Sequence, residues 1–251
     1  MMGLIGSAVG AGVINAVAGG GTLLTFPALL AFRVSPVTAN ATSTLALVIG
    51  TSGGMLGNRQ YIKPVTPWLK RFLPVSLLGG LIGSILLTHT SNQTFGKLVP
   101  FLILFATLLF LAQGIFRRFA GSHLDAKANS LHVWAAVFFQ FFVSVYGGYF
   151  GAGIGILMLA TLGFIGMRNI YEMNTLKTIL GSLINLVAAV WFIWAGLIDW
   201  PRAAVMTVGA VAGYYLGSHY SQRVSQARVR QGITAIGFII SGVTFYKQFV
   251  R

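Results

Sequence analysis

Long apolar runs separated by short polar loops dominate the chain. A helix that crosses the hydrocarbon of a bilayer needs about 20 apolar residues, because that layer is roughly 30 Å thick and each helical residue rises about 1.5 Å. By that ruler the segments 37–57, 68–87, 98–116, 131–150, 173–197, 203–220 and 232–246 with its flanks read as spans. Two further apolar stretches, 22–32 and 154–167, are too short to cross comfortably, and each follows a cluster of glycines. The opening stretch 2–18 has no cationic start and no small-residue cleavage site before a soluble domain, so it reads as a helix and not as a signal peptide. The pattern predicts an all-α, polytopic helical membrane protein, with the whole chain 1–251 as one transmembrane domain.

The pattern also repeats. At the constant offset that carries Gly19 onto Gly153, Gly21 falls on Gly155, Asn40 on Asn174 and Thr44 on Thr178. Pro67 falls on Pro201, and Gly79 and Gly83 fall on Gly213 and Gly217. The coincidences cluster at glycine breaks and helix starts, which predicts two repeats, 1–117 and 131–251. Each has a glycine-broken helical hairpin followed by three spanning helices, or five full spans.

Charge gives these repeats an orientation. Arg59, Lys63, Lys70 and Arg71 share one loop, Arg117, Arg118 and Lys127 the linker, and Arg223, Arg228 and Arg230 a third loop. The opposing loops hold only Lys97 and only Arg202. Lys and Arg near span ends mark the cytoplasmic side. The 59–71 loop is then inside and its counterpart around Pro201 outside, so the repeats are inverted. Lys247 and Arg251 run against the resulting placement of the C-terminal end outside the cytoplasm.

Composition narrows the class further. The 251 residues include 17 Lys and Arg, 3 Asp and Glu and no Cys, for a net charge of +14; 8% of residues are charged and 56% hydrophobic. A soluble domain carries about 25% charged residues, so a soluble enzyme and a disordered chain are both disfavoured. The absence of cysteine removes disulfides and thiolate metal sites. The cations sit in short loops, which argues against a nucleic-acid partner. Asp125 and Asp199 fall in loops and Glu172 at a helix entrance. A carboxylate buried in a span would repel an anion, so this distribution suits an anion carrier better than a cation carrier.

The glycine clusters are the first candidates for chemistry. Asn15, Gly19, Gly20, Gly21 and Thr22 form one, and Gly151, Gly153 and Gly155 its counterpart. Backbone groups freed by a break inside a membrane survive only where protein or a watery cavity satisfies them. The N-terminal end of each half-helix offers N–H groups and a positive dipole, which suits an anion. Paired broken helices around a midplane site are a transporter architecture. Glycines can also serve only to let helices pack closely.

The polar entries of the long third segments come next. Asn40 and Thr44 stand in one and Asn174 and Lys177 in the other, where helix capping is the simpler reading. Lys177 lies inside an apolar segment, where an ionisable residue is costly and usually functional; snorkelling and pairing with Glu172 are the other readings. Thr51 and Asn185 are equivalent and deeper, where a polar side chain faces protein or a cavity. His89, His123, His132 and His219 have no metal-ligand spacing, and no H-E-x-x-H or G-x-S-x-G motif occurs. No metal, cofactor or catalytic set is expected. The aromatic run 137–150 reads as lipid-facing or packing.

The stretch 15–27, reading NAVAGGGTLLTFP, with Pro36 and ANATST over 39–44, resembles the first-half signature of the TauE/SafE family of sulfite and organosulfonate exporters. YGGYFGAGIG over 146–155, and 174–185 leading to GLIDW over 196–200, resemble the second-half signature. Lys177 departs from the small polar residues of the first half. The resemblance implies a bacterial plasma-membrane permease for small sulfur-containing anions, driven by a proton or sodium gradient. A passive anion channel and a carrier of another sulfur-containing or carboxylate anion stay open, as does assembly into a homo-oligomer.

Overall fold

The structure, a computed structural model, describes residues 2–17, 20–52, 61–122, 130–167, 169–220 and 226–249. Among them there are ten α-helices and no strand. They are α1 (Met2–Val17), α2 (Thr22–Ala31), α3 (Pro36–Ser52), α4 (Ile62–His89), α5 (Asn92–Ser122), α6 (Ser130–Tyr149), α7 (Ile154–Phe164), α8 (Ile170–Trp194), α9 (Trp200–Tyr220) and α10 (Gln226–Phe249). The chain is an all-helical polytopic membrane protein. By length and composition α4, α5, α6 and α8 can each cross a membrane, whereas α2 has 10 residues and α7 has 11. Large apolar side chains point outward, as lipid-facing residues do: Trp194 is 76% exposed and Val208 72%. Phe138, Phe139 and Phe142 of the aromatic run are exposed in the same way.

The second-segment helices are short for a local reason. A glycine run precedes each, and glycine loses the most backbone entropy in a helix. Gly153, the residue before α7, has φ +77°, a left-handed conformation that costs other residues about 1–2 kcal/mol. In α1, Asn15 caps the first break: its Oδ1 accepts the N–H groups of Gly20 and Gly21, both at 2.8 Å. The third-segment helices begin earlier than their polar residues suggest. Pro36 opens α3, and Asn169 caps α8 by accepting the Tyr171 N–H at 3.0 Å. Asn40 and Asn174 therefore lie inside their helices, and capping does not account for them.

Helix partners recur across the two halves. α1 packs on α9 and α4 on α6; α3 packs on α9 and α4 on α8; α2 sits between α1 and α3 as α7 sits between α6 and α8. Exchanging α1–α5 for α6–α10 carries each of these pairs onto another, while α3 on α8 and α5 on α10 map onto themselves. The glycines that coincide in sequence make the equivalent contacts. A Cβ on Gly83 of α4 would overlap the Val145 carbonyl oxygen of α6, and one on its counterpart Gly217 of α9 would stand 2.9 Å from the Val13 carbonyl oxygen of α1. Small residues let membrane helices approach this closely. A buried cluster holds the breaks in place from one side, with Phe26 of α2 edge-on to Phe150 at 5.5 Å and to Phe95 of α5 at 6.2 Å.

Candidate functional site

A cavity of about 110 Å3 lies where the two glycine breaks meet α3, α8 and α9. That is room for a small polyatomic ion. Asn15, Gly20 and Thr22 line it from the first break, and Gly151, Gly153 and Gly155 from the second. Thr44 lines it from α3, and Lys177 and Asn185 from α8. Equivalent positions of the two halves face it together, as Thr44 with Thr178 and Thr51 with Asn185.

Three predicted site residues are not on the wall. Gly21 packs against the Ala11 backbone, where a Cβ would stand 2.6 Å from the carbonyl oxygen. Asn40 is buried, and its Nδ2 donates to the Tyr149 carbonyl at 3.0 Å. It thus ties α3 to the break after α6. Asn174 accepts the Lys177 Nζ at 3.1 Å and so positions the ammonium. Gly19 lies outside the described residues.

The cavity wall carries polar residues from both halves of the chain and one cationic residue, Lys177. Lys177 reaches it with its stem against Gly155, where a Cβ would stand 3.2 Å from Cδ. Among the described residues no carboxylate pairs with the ammonium. Glu172 accepts instead from Asn169 Nδ2 at 2.9 Å, and Asp199 binds Arg202. The reading in which Lys177 pairs with Glu172 is therefore corrected: Lys177 turns toward the cavity. Beside the ammonium, Thr22, Thr178 and Ser182 bring hydroxyl groups to the wall.

Sequence reasoning missed Thr178, Ser182 and Tyr214 as wall residues. Thr178 and Ser182 are readable from Lys177, because residues one and five positions on, and four and eight positions on for Gly181 and Asn185, fall on a single broad face of α8. Tyr214 gave no such signal, since an aromatic residue in an apolar span looks like any lipid-facing one.

Asn40 offers a test of its own. Asn40→Ala leaves the Tyr149 carbonyl without this donor and should destabilise the protein by about 1–3 kcal/mol. A lower melting temperature in detergent is expected, and an unchanged one would show that the bond to Tyr149 does not hold the break.

The profile of the family described as sulfite exporter TauE/SafE matches residues 4–244. The chain belongs to that family. A probable membrane transporter protein of Haemophilus influenzae is 28% identical to this TauE/SafE member over 241 residues, covering 95% of this chain and 91% of the relative. The probable membrane transporter protein YfcA of Escherichia coli K12 is 26% identical over 238 residues, covering 94% and 86%. A probable membrane transporter protein of a Sinorhizobium species, ORF9, is 25% identical over 216 residues, covering 84% and 79%. No solved structure matches. With the family and these relatives, the TauE/SafE chain is a multi-pass membrane transporter.

Proposed function

We propose that this transporter carries a small oxyanion, sulfite first and organosulfonates next, across a bacterial cytoplasmic membrane. Two inverted repeats, 1–117 and 131–251, alternate around the cavity to expose it to one side at a time. The carrying observation is Lys177, an ammonium on the cavity wall with no carboxylate partner among the described residues. A lone cation in a low-dielectric site favours an anion strongly. Thr22, Thr178, Ser182 and Asn185 add neutral donors, and both glycine breaks contribute backbone. The exchange symmetry of the helix contacts supports the two-repeat reading, and the loop charges support its inversion. The driving gradient is a proton or sodium gradient.

The test is flux into liposomes holding the purified protein, with sulfite, sulfate, thiosulfate, sulfoacetate and taurine compared. Saturable uptake of sulfite, accelerated by unlabelled sulfite on the far side, is expected. Uptake that rises linearly with concentration and shows no such acceleration would replace the carrier with a passive channel. Uptake of none of the five would sink the substrate assignment.

A further inference from the structure

One glycine in the site has no packing role. Gly181 lies on α8, on the cavity wall, and a Cβ built there meets no neighbouring atom within 4 Å. The other glycines of the close helix contacts behave differently: a Cβ on Gly79, Gly83, Gly148, Gly213 or Gly217 would run into the backbone of the facing helix. Glycine weakens a helix relative to alanine, and at Gly181 neither a close approach nor a left-handed φ accounts for it. What the missing side chain leaves is space.

That space has a definite place. Gly181 is four residues beyond Lys177 and four before Asn185, so the three share one face of α8. Lys177 and Asn185 are about 12 Å apart along the helix axis, at about 1.5 Å per residue. Ser182, beside the gap, is nine-tenths buried, lines the cavity and has a hydroxyl with no hydrogen-bond partner among the described residues. Asn185 likewise makes no hydrogen bond to a described residue. The repeat counterpart of Gly181 is Leu47, which also lines the cavity and fills its own side. The two halves are thus equivalent in backbone and opposite in bulk at this position.

We propose that Gly181 is a specificity-determining position: its missing side chain is the passage by which the anion moves between Lys177 and Asn185, and sets the width of what passes. This inference rests on the anion-carrier reading for the identity of the cargo, but not for the accessibility it asserts. Compact oxyanions need only the width of one central atom with its oxygens. Organosulfonates must also bring a carbon tail past Gly181, so they feel a narrowing first.

The chain has no cysteine, so Gly181→Cys creates the sole thiol and serves as a direct probe. Its thiolate attacks the sulfenyl sulfur of a methanethiosulfonate reagent, forming a mixed disulfide and releasing methanesulfinate. The reagents are 2-sulfonatoethyl methanethiosulfonate, an anion, and 2-trimethylammonioethyl methanethiosulfonate, a cation. Lys177 close by should make the anionic reagent react at least about tenfold faster, once each rate is divided by that with a free thiol. The flux arm uses Gly181→Ala and Gly181→Leu. Alanine should lower sulfoacetate and taurine uptake about tenfold or more while sulfite falls less, the discrimination a methyl group gives in a close-fitting site. Leucine should abolish uptake of every anion, with the protein still monodisperse.

Gly181→Cys that reacts in denaturant but with neither reagent in the folded protein overturns the passage. A cationic reagent as fast as the anionic one overturns the link to Lys177. Gly181→Leu with wild-type uptake of sulfoacetate overturns the width limit. Should wild type carry none of the five compounds, the cargo assignment falls, and the labelling ratio alone decides whether anions reach Gly181.

Discussion

Lys177→Met raises the sulfite concentration for half-maximal transport by about thirtyfold or more. Removing one partner of a buried charge pair costs about 2–5 kcal/mol, and each 1.4 kcal/mol is about tenfold in affinity. The lower end of that range already gives the stated shift. Met matches the lysine stem in length, so packing against Gly155 is kept. An unpaired ammonium inside a span is itself costly, so replacing it by an apolar group of similar length should leave the variant folded. Asn174 loses its hydrogen-bond donor, but it is only half-buried and water can take that place. Asn174→Ala leaves the ammonium in the cavity without its anchor, so it should raise the half-saturating concentration by less. An unchanged value in Lys177→Met would show that the ammonium does not meet the substrate.

The second large effect is on folding. Gly83→Val should leave no monodisperse protein after detergent extraction, because its side chain would begin inside the Val145 carbonyl of α6. Overpacking typically costs about 1–3 kcal/mol where side chains can yield. Here the obstacle is backbone, and relief requires α4 and α6 to separate along their contact. Gly213→Val should fail in the same way, with α9 pushed from the Val9 carbonyl of α1. Gly181→Val is the contrast, since its Cβ would meet no neighbouring atom within 4 Å. Full recovery of folded Gly83→Val by size-exclusion chromatography would contradict the close α4–α6 contact.

Much of this arrangement is legible in the sequence. The two short helices can be placed because glycine runs end helices through backbone entropy, whatever the tertiary context. α2 begins at Thr22 and α7 at Ile154, where the apolar stretches begin. Lys177 stands out because a charge in an apolar run has a cost that only a special environment offsets. Gly79 and Gly83 coincide with Gly213 and Gly217 at one constant offset, and all four stand at close contacts between helices.

What the sequence leaves unread depends on rotation about helix axes and on neighbours distant in the chain. Asn40 and Asn174 are equivalent in sequence, which suggests equal roles. In space one bonds the Tyr149 carbonyl across the halves and the other holds Lys177 within its own helix. The difference follows from the residue three positions on, Ser43 in one half and Lys177 in the other. Ser43 shares a 2.5 Å hydroxyl contact with Thr25 of α2, whereas the lysine reaches back to Asn174. Tyr214 enters the cavity only because α9 packs against α1, a contact between elements almost the whole chain apart.

The central claim is that a small anion binds beside Lys177. Its most direct measurement is the melting temperature of the purified protein in detergent, with and without sulfite, for wild type and Lys177→Met. A ligand at about 100 times its dissociation constant stabilises the folded state by about 2.7 kcal/mol. A sulfite-dependent rise in wild type, cut to about a third or less at the same concentration in Lys177→Met, is the predicted result. An equal rise in both proteins would contradict it.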